Sequence, residues 1–397
     1  MKVLFLCNKS PWPAKEGGPM AMNMFIEGLA DAGHEVKVIA VNSFKYQVDP
    51  AAIPKSYRDK TAIELQDADL RVKPVRALLN LFSGKSYHVS RFNSEPFRLR
   101  LIRVLRETQF DIVQLETLYM TPYIATIREH STARIILRAH NIEHLIWQRI
   151  GAETLNPLRR WYIGLLASRL KKYEEKIVAE TDGIVAITPT DAAFFRKFHP
   201  VCTSIPFGID PANYEAGAGE TEYPSLFSFG AMNWIPNAEG IRWFLMNVWP
   251  DVHRQFPDLK YYLAGREMPG WMLRLNLPNV VVLGEVPDSN RFLASKAVMI
   301  VPLFSGSGIR IKIIEGMAAG KTIISTSLGA EGIGYTNREN ILIADAPCEF
   351  FEMISICVSD KPSWAKIGKQ ARKLIETEYL PGRLVQNLLA FYQQVAG

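Results

Sequence analysis

The sequence predicts an α/β fold of two doubly wound, Rossmann-like domains, and three observations carry that reading. Lys2–Leu6 is a short apolar run, followed by a loop with Pro11, Pro13, Gly17, Gly18 and Pro19, a helical stretch over 20–32, and a second apolar run, Glu35–Val41. Strand, glycine loop, helix, strand is a βαβ unit, and such a unit builds a parallel sheet. The second half repeats the alternation: Leu226–Phe229, Leu259–Ala264 and Val280–Leu283 each stop at a glycine, at 230, 265 and 284. Finally, 397 residues are too many for one ordinary core, and the chain turns polar and glycine-containing from Pro211 to Pro224. The expected division is 1–205, 206–378, and a C-terminal helix, 379–397, packing back on the first domain.

Taken in order, Gly33 closes the first helix, as a C-terminal glycine does. Residues 43–70 read as irregular. Asp67 and Asp69 form an Asp-x-Asp pair without further carboxylates around it, so no metal is expected there. Glu95–Arg106 reads as a helix, Phe110–Leu115 and Arg134–Arg138 as strands. His140 and His144 follow the latter, four residues apart; zinc would want a third ligand and a Glu directly after the first His. A His at a strand tip of an α/β sheet is better placed to contact a ligand. Residues 157–180 and 189–198 read as helices around a strand, Gly183–Ile187. In the second half, Asn237–Phe256 reads as a helix, Asp288–Ser295 as a helical turn, Val298–Leu303 and Thr322–Thr326 as strands, and 363–378 and 382–395 as helices.

Composition narrows the class. Apolar content of 48% and charged content of 22% are those of a soluble globular protein. No uninterrupted apolar span reaches membrane length, and Val3–Cys7 is too short for a signal peptide's apolar region. Four cysteines, at 7, 202, 348 and 357, have neither paired spacing nor a nearby His, which fits a reducing cytoplasm. The net charge of +6 is local: residues 71–106 hold nine Lys/Arg against one acid, Glu95. Phe82, Tyr87, Phe92 and Phe97 are interleaved there, and Arg98, Arg100 and Arg103 share the helix. This stretch is either a solvated cationic face or a contact for anionic lipid headgroups or a phosphate-bearing substrate. Nucleic acid is the less favoured polyanion.

The run 305–321 is the most informative. A loop with Gly306, Ser307 and Gly308 follows an apolar strand and precedes a helix expected to start near Ile309 and stop at Gly320. That arrangement offers backbone N–H groups and a positive dipole end to an anion. Arg310 and Lys312 fall in the expected first turn, where cations oppose the macrodipole unless an anion is bound. At about 100° per residue, Arg310 lies within the arc of Ile311, Ile313, Ile314, Met317 and Ala318, so its charge should be shielded from water. Lys312 and Glu315 lie on the other side, three residues apart. The plain alternative is a core helix with a solvated Lys–Glu pair and a snorkelling Arg310.

Two α/β halves, Gly17 and Gly18 after the first strand, and Gly308-x-Arg310-x-Lys312-Ile-x-Glu315-x-Met317-Ala-x-Gly320-Lys321 resemble the retaining glycosyltransferases of family 4, with the GT-B fold. Phe207-Gly208-Ile209-Asp210 resembles that family's interdomain phrase. Phe229-Gly230-Ala-Met232-Asn-Trp234-Ile-Pro236-Asn237 resembles the opening of the donor domain in one branch of it. The resemblance implies a nucleotide-diphosphate-sugar donor on the C-terminal domain and a glycan or polyprenyl-diphosphate-linked acceptor on the N-terminal domain. A cleft separates the two, and transfer keeps the anomeric configuration without a required metal or other cofactor. It maps a ribose contact to Glu315, a donor-sugar contact to His140, and a diphosphate or acceptor approach to Gly17 and Gly18. Two departures follow. The family's second acidic sugar contact, eight positions before the ribose Glu, is Ser307 here. The Arg and Lys that many members carry after the first strand of the C-terminal domain are missing from Met232–Gly240. Arg310 and Lys312 are the expected substitutes at the helix start. Cell-surface polysaccharide assembly in the cytoplasm, at the inner membrane face, is the expected setting. The alternatives are another sugar-nucleotide enzyme of this fold, such as an epimerase, and a non-catalytic nucleotide-sugar or polyanion-binding scaffold.

Overall fold

The computed structural model describes residues 1–14, 17–71, 80, 83–214, 221–306 and 308–397. The chain forms two compact units, Met1–Phe207 with Pro381–Gly397, and Gly208–Leu380.

Among the described residues the first unit holds seven parallel strands: β1 (Lys2–Cys7), β2 (Glu35–Ser43), β3 (Glu64–Ala68), β4 (Ile112–Glu116), β5 (Arg134–Ala139), β6 (Gly183–Ala186) and β7 (Cys202–Ser204). Their order is β3-β2-β1-β4-β5-β6-β7. Its helices are α1 (Gly17–Asp31), α2 (Lys55–Thr61), α3 (Tyr87–Ser90), α4 (Glu95–Glu107), α5 (Ile124–His130), α6 (Glu143–Glu153), α7 (Pro157–Ile177) and α8 (Pro189–Phe195). After the exposed Lys2, β1 is apolar because both faces are covered. Leu4 and Leu6 join one core with Phe97 and Leu101 of α4, while Val3, Phe5 and Cys7 join the other with Phe25 and Leu29 of α1. β1 lies between β2 and β4, so the order in which strands are added reverses between β1 and β4. Their carboxyl ends are where such folds place a ligand.

The second unit holds β8 (Glu222–Phe229), β9 (Lys260–Ala264), β10 (Val280–Gly284), β11 (Lys296–Val301), β12 (Thr322–Ser325) and β13 (Leu342–Ile343), in the order β10-β9-β8-β11-β12-β13. Its helices are α9 (Ile235–Asn247), α10 (Trp249–Gln255), α11 (Gly270–Leu273), α12 (Ser289–Ser295), α13 (Ile311–Ala318), α14 (Pro347–Ser359) and α15 (Lys361–Glu378). The corresponding reversal falls between β8 and β11, which are followed by Gly230 and by the loop to α13. The last helix, α16 (Pro381–Ala396), packs on α1 in the first unit.

Several expectations need correction. The first helix begins at Gly17 rather than at residue 20, so Gly17 and Gly18 are its first turn and not loop. Residues 43–70 contain α2 and the edge strand β3, whose polar sequence hid it. Asp67 takes the Asn42 amide at 2.9 Å while Asp69 takes Arg71, so the two carboxylates go to separate partners. The single helix expected over 237–256 is two, broken at Val248. Tyr87, Phe92 and Phe97 are buried in the core, and Phe82 lies outside the described residues. All four cysteines are free, Cys7 and Cys357 buried and Cys348 exposed.

Candidate active site

In the second unit, the loop after β11 leads into α13. Arg310 is not in the first turn of this helix but is its N-cap residue, with φ −85° and ψ 94°. Only 4% of it is exposed. Its guanidinium bonds back to the Gly308 carbonyl and lies 5.7 Å from the Trp234 ring centre. Gly306 has φ +106°, and a Cβ there would come within 3.0 Å of the Trp234 ring, so both backbone shape and the close indole demand glycine. Gly308 is also left-handed, at φ +77°.

Lys312 reaches Asn237 Oδ1 at the start of α9, inside the 232–240 segment that lacks its own cation. Burial, and then the Arg310 charge, lower its amine to about 7. A Cβ on Gly230 would lie 3.8 Å from this amine. Two cations thus crowd one end of a helix whose dipole repels both, the arrangement an anion resolves. Glu315 does not pair with Lys312: the Tyr214 hydroxyl donates to its Oε1 at 3.1 Å, and burial raises its carboxyl against that bond.

In the first unit, Glu116 ends β4 and pairs in register with Arg138 of β5; both are fully buried. His140 follows β5, and its Nε2 lies 2.6 Å from Glu116 Oε2. Arg138 Nη1 is 3.4 Å from the same oxygen and donates to the Ala21 carbonyl of α1 at 3.1 Å. Gln114 Nε2 donates to the other carboxylate oxygen at 2.6 Å, and the Tyr392 hydroxyl of α16 donates to Gln114. Burial would raise the Glu116 carboxyl, but Arg138 and the His140 bond hold it below the usual range. Burial, reinforced by Arg138 and Lys9, lowers the His140 imidazole despite Glu116. A neutral ring beside a carboxylate carries its proton on Nε2, which leaves Nδ1 as an acceptor.

Four buried polar atoms without hydrogen-bond partners lie on or just past these strands: Asn8 Oδ1, Thr117 Oγ1, and Nε and Nη2 of Arg138. Thr117 has φ +78°, an outlier for a β-branched residue, directly after Glu116. The Arg138 guanidinium lies 4.4 Å from the Phe25 ring centre, and with the other unpartnered atoms and the strain at Thr117 it makes the switch point a candidate polar site.

Family models match both halves of the chain. The model described as "Glycosyltransferase Family 4" matches residues 17–213, and the one described as "Glycosyl transferases group 1" matches 223–360. The chain is a glycosyltransferase of the GT-B type. An uncharacterized 44.6 kDa protein in the cps region of Klebsiella pneumoniae is 22% identical over 390 residues, 95% of the transferase and 96% of that protein. The crystal structure of Anabaena HepE in complex with UDP matches with TM-score 0.68 at 14% identity, over 99% of the transferase and 100% of HepE. Sucrose-phosphate synthase from Thermosynechococcus elongatus matches with TM-score 0.71 at 15% identity, over 100% and 99%. These structures speak to the fold.

Of the residues singled out in the sequence, Gly230, Gly306, Gly308, Arg310 and Lys312 gather at the switch point of the transferase's second unit, with Glu315 one turn further along α13. Ser307 lies outside the described residues. His140 lies at the switch point of the first unit. The Lys9 charge acts on it, and the Lys9 chain passes within 3.0 Å of a Cβ on Gly18. His144 turns away to Glu174 at 2.6 Å, so the two histidines do not converge. Arg98 pairs with Glu95 at 2.6 Å and Arg100 with Glu64, while Arg103 is exposed; none reaches either group of site residues. Sequence reasoning missed Glu116, Arg138, Lys9 and Tyr214. For Glu116 and Arg138 the available signal was a charged residue near the carboxyl end of an otherwise apolar strand.

Proposed function

We propose that this protein transfers a sugar from a nucleotide-diphosphate donor to a glycan or lipid-linked acceptor, with retention and without a required metal, in cell-surface polysaccharide assembly. The cation pair Arg310 and Lys312 at the start of α13 is the observation that carries the reading. A buried guanidinium and a depressed ammonium need an anion, and a diphosphate supplies one. The bond from C1 to the phosphate oxygen breaks, and negative charge grows on the leaving nucleoside diphosphate. Arg310, Lys312 and the backbone N–H groups at the start of α13 stabilise that charge. The acceptor oxygen bonds C1 on the same face, and its proton passes to the leaving phosphate. Glu315 takes the ribose and His140 Nδ1 accepts from a donor-sugar hydroxyl.

One structural neighbour supports the donor class: HepE was crystallised with UDP and with UDP-glucose. The cps-region relative supports the polysaccharide setting. Among the described residues no helix is long and apolar enough to cross a membrane, so a lipid-linked acceptor would be met at the surface of the inner leaflet.

The test is a thermal-shift panel of nucleoside diphosphates and their sugars, followed by transfer assays with the best donor. Arg310→Ala should lower kcat about a hundredfold to a thousandfold in a folded protein. Near-normal turnover in that variant sinks the role given to the cation pair. Free nucleoside diphosphate should appear only when acceptor is present; release without acceptor, or none at all, sinks the transferase reading. The anomeric proton coupling of the product reads retention, and EDTA treatment reads metal independence.

A further inference from the structure

We infer that the tip of the helical hairpin formed by α6 and α7 is a docking surface for an anionic lipid membrane. Leu155 is 95% exposed, Leu158 79% and Trp161 64%. Elsewhere among the described residues exposed large apolar side chains come singly or in pairs, as at Trp234–Ile235, but here three crowd seven residues of chain.

They are not exposed by fraying. Asn156 caps α7 by accepting from the Arg159 N–H at 3.0 Å, and Pro157 opens the helix. Arg160 donates to the Ala152 and Thr154 carbonyls at 3.1 Å, closing the end of α6. A Cβ on Gly151 would lie 3.3 Å from Ile163, so the two helices meet closely just behind the tip. The apolar side chains are therefore held outward by a fixed backbone, and docking them needs little further ordering.

The chemistry names the partner. Residues 149–161 hold Arg149, Arg159 and Arg160 against one acid, Glu153, and Arg159 is exposed beside the leucines. Leucines at a tip, a tryptophan beside them and arginines around them fit a headgroup–acyl boundary. There carbon enters the acyl region, the indole sits at headgroup depth and guanidinium pairs with phosphate. Arg98 and Arg100, the sequence candidates for this contact, already hold Glu95 and Glu64. The inference deepens the lipid-linked acceptor reading, and vesicle binding measured without donor or acceptor separates the two.

The experiment is co-sedimentation of the full chain with phosphatidylglycerol–phosphatidylethanolamine vesicles and with phosphatidylcholine vesicles. Binding is expected to the anionic set and to weaken with salt. Leu155→Ser/Leu158→Ser/Trp161→Ser should weaken it on the order of a hundredfold. Arg159→Glu should weaken it about thirtyfold. Arg98→Glu/Arg100→Glu/Arg103→Glu should leave it within about twofold of wild type, and every variant should keep the wild-type thermal shift with nucleoside diphosphate. Brominated lipid should quench a fluorescence component that Trp161→Phe removes. No vesicle binding by the wild type, undiminished binding by the tip variants, or loss through the Arg98 set alone overturns the inference. So does a wild-type dimer in solution that the tip substitutions convert to monomer.

Discussion

Lys312 ties charge at the phosphate site to pH. Burial and then Arg310 disfavour the cation and lower its amine to about 7. A diphosphate diester favours the cation, so binding takes up a proton above that value. Affinity for the best nucleotide-diphosphate sugar should fall as pH rises from 7 to 9, approaching tenfold per unit. Lys312→Met should bind more weakly than wild type at pH 6 and similarly at pH 9. Calorimetric titration at pH 6, 7, 8 and 9 checks this, and a flat wild-type profile overturns it. Glu116 is the positioning counterpart in the first unit. Glu116→Gln keeps the shape but strips Arg138 of its counter-charge and frees the His140 tautomer. It should lower kcat ten- to a hundredfold with a smaller change in KM. It should also cost on the order of 3 kcal/mol, since one partner of a buried pair is removed. The His140 ring resonances should then titrate differently from wild type; an unchanged titration would leave Glu116 a merely structural residue.

At the scale of elements, α6 is tied to α7 through one carboxylate. Glu174 of α7 accepts from the Glu143 and His144 N–H groups at 3.0 and 3.3 Å and from His144 Nδ1 at 2.6 Å, so it caps α6 from outside. Beside it the Glu143 carboxyl is raised to about 7, chiefly by burial, with Tyr119 donating to it at 2.8 Å and opposing the rise. The folded protein therefore holds a proton that the unfolded chain releases near 4.5. The stability this proton contributes is whole below that value and is lost as pH rises through 7. About 3 kcal/mol is at stake. Glu143→Gln should accordingly change stability little at pH 4 and raise it at pH 8, as read by urea unfolding at both pH values. The same hairpin shows what the sequence could and could not disclose. Its longer helix was legible from Pro157 onward, because caps and periodicity are local signals. The glycine loop and the cations at the start of α13 were legible for the same reason. Two things were not: that Arg310 stops short of the helix as its cap, which depends on where the first intrahelical bond closes, and that Glu116 faces Arg138, 22 residues on, which depends on strand register. The edge strand β3 escaped because half-exposed edge strands carry polar residues and lack the apolar run of a central strand.

For the whole molecule, α16 decides which unit a truncation destroys. The helix follows the second unit in sequence but buries Leu384, Val385, Leu388, Leu389, Phe391 and Tyr392 in the core of the first. Gly28 of α1 makes room for it: a Cβ there would sit 2.4 Å from Val385. At about 1.5–3 kcal/mol per buried apolar side chain, the six contribute on the order of 10 kcal/mol, as much as a domain's entire stability. Removing residues 381–397 should therefore unfold the first unit and leave the second standing. Because Arg310, Lys312, Asn237 and Glu315 all belong to the second unit, the truncated chain should still be stabilised by nucleoside diphosphate, by about 2.7 kcal/mol at a hundred times its dissociation constant. Tyr392→Phe, by contrast, should keep both units folded and loosen only the hydrogen bond to Gln114 behind Glu116. Scanning calorimetry with and without nucleotide separates these outcomes. If the truncated protein keeps both of its transitions, α16 contributes far less to the first unit than its burial indicates. If the remaining transition does not respond to nucleoside diphosphate, the phosphate site is not self-contained in the second unit.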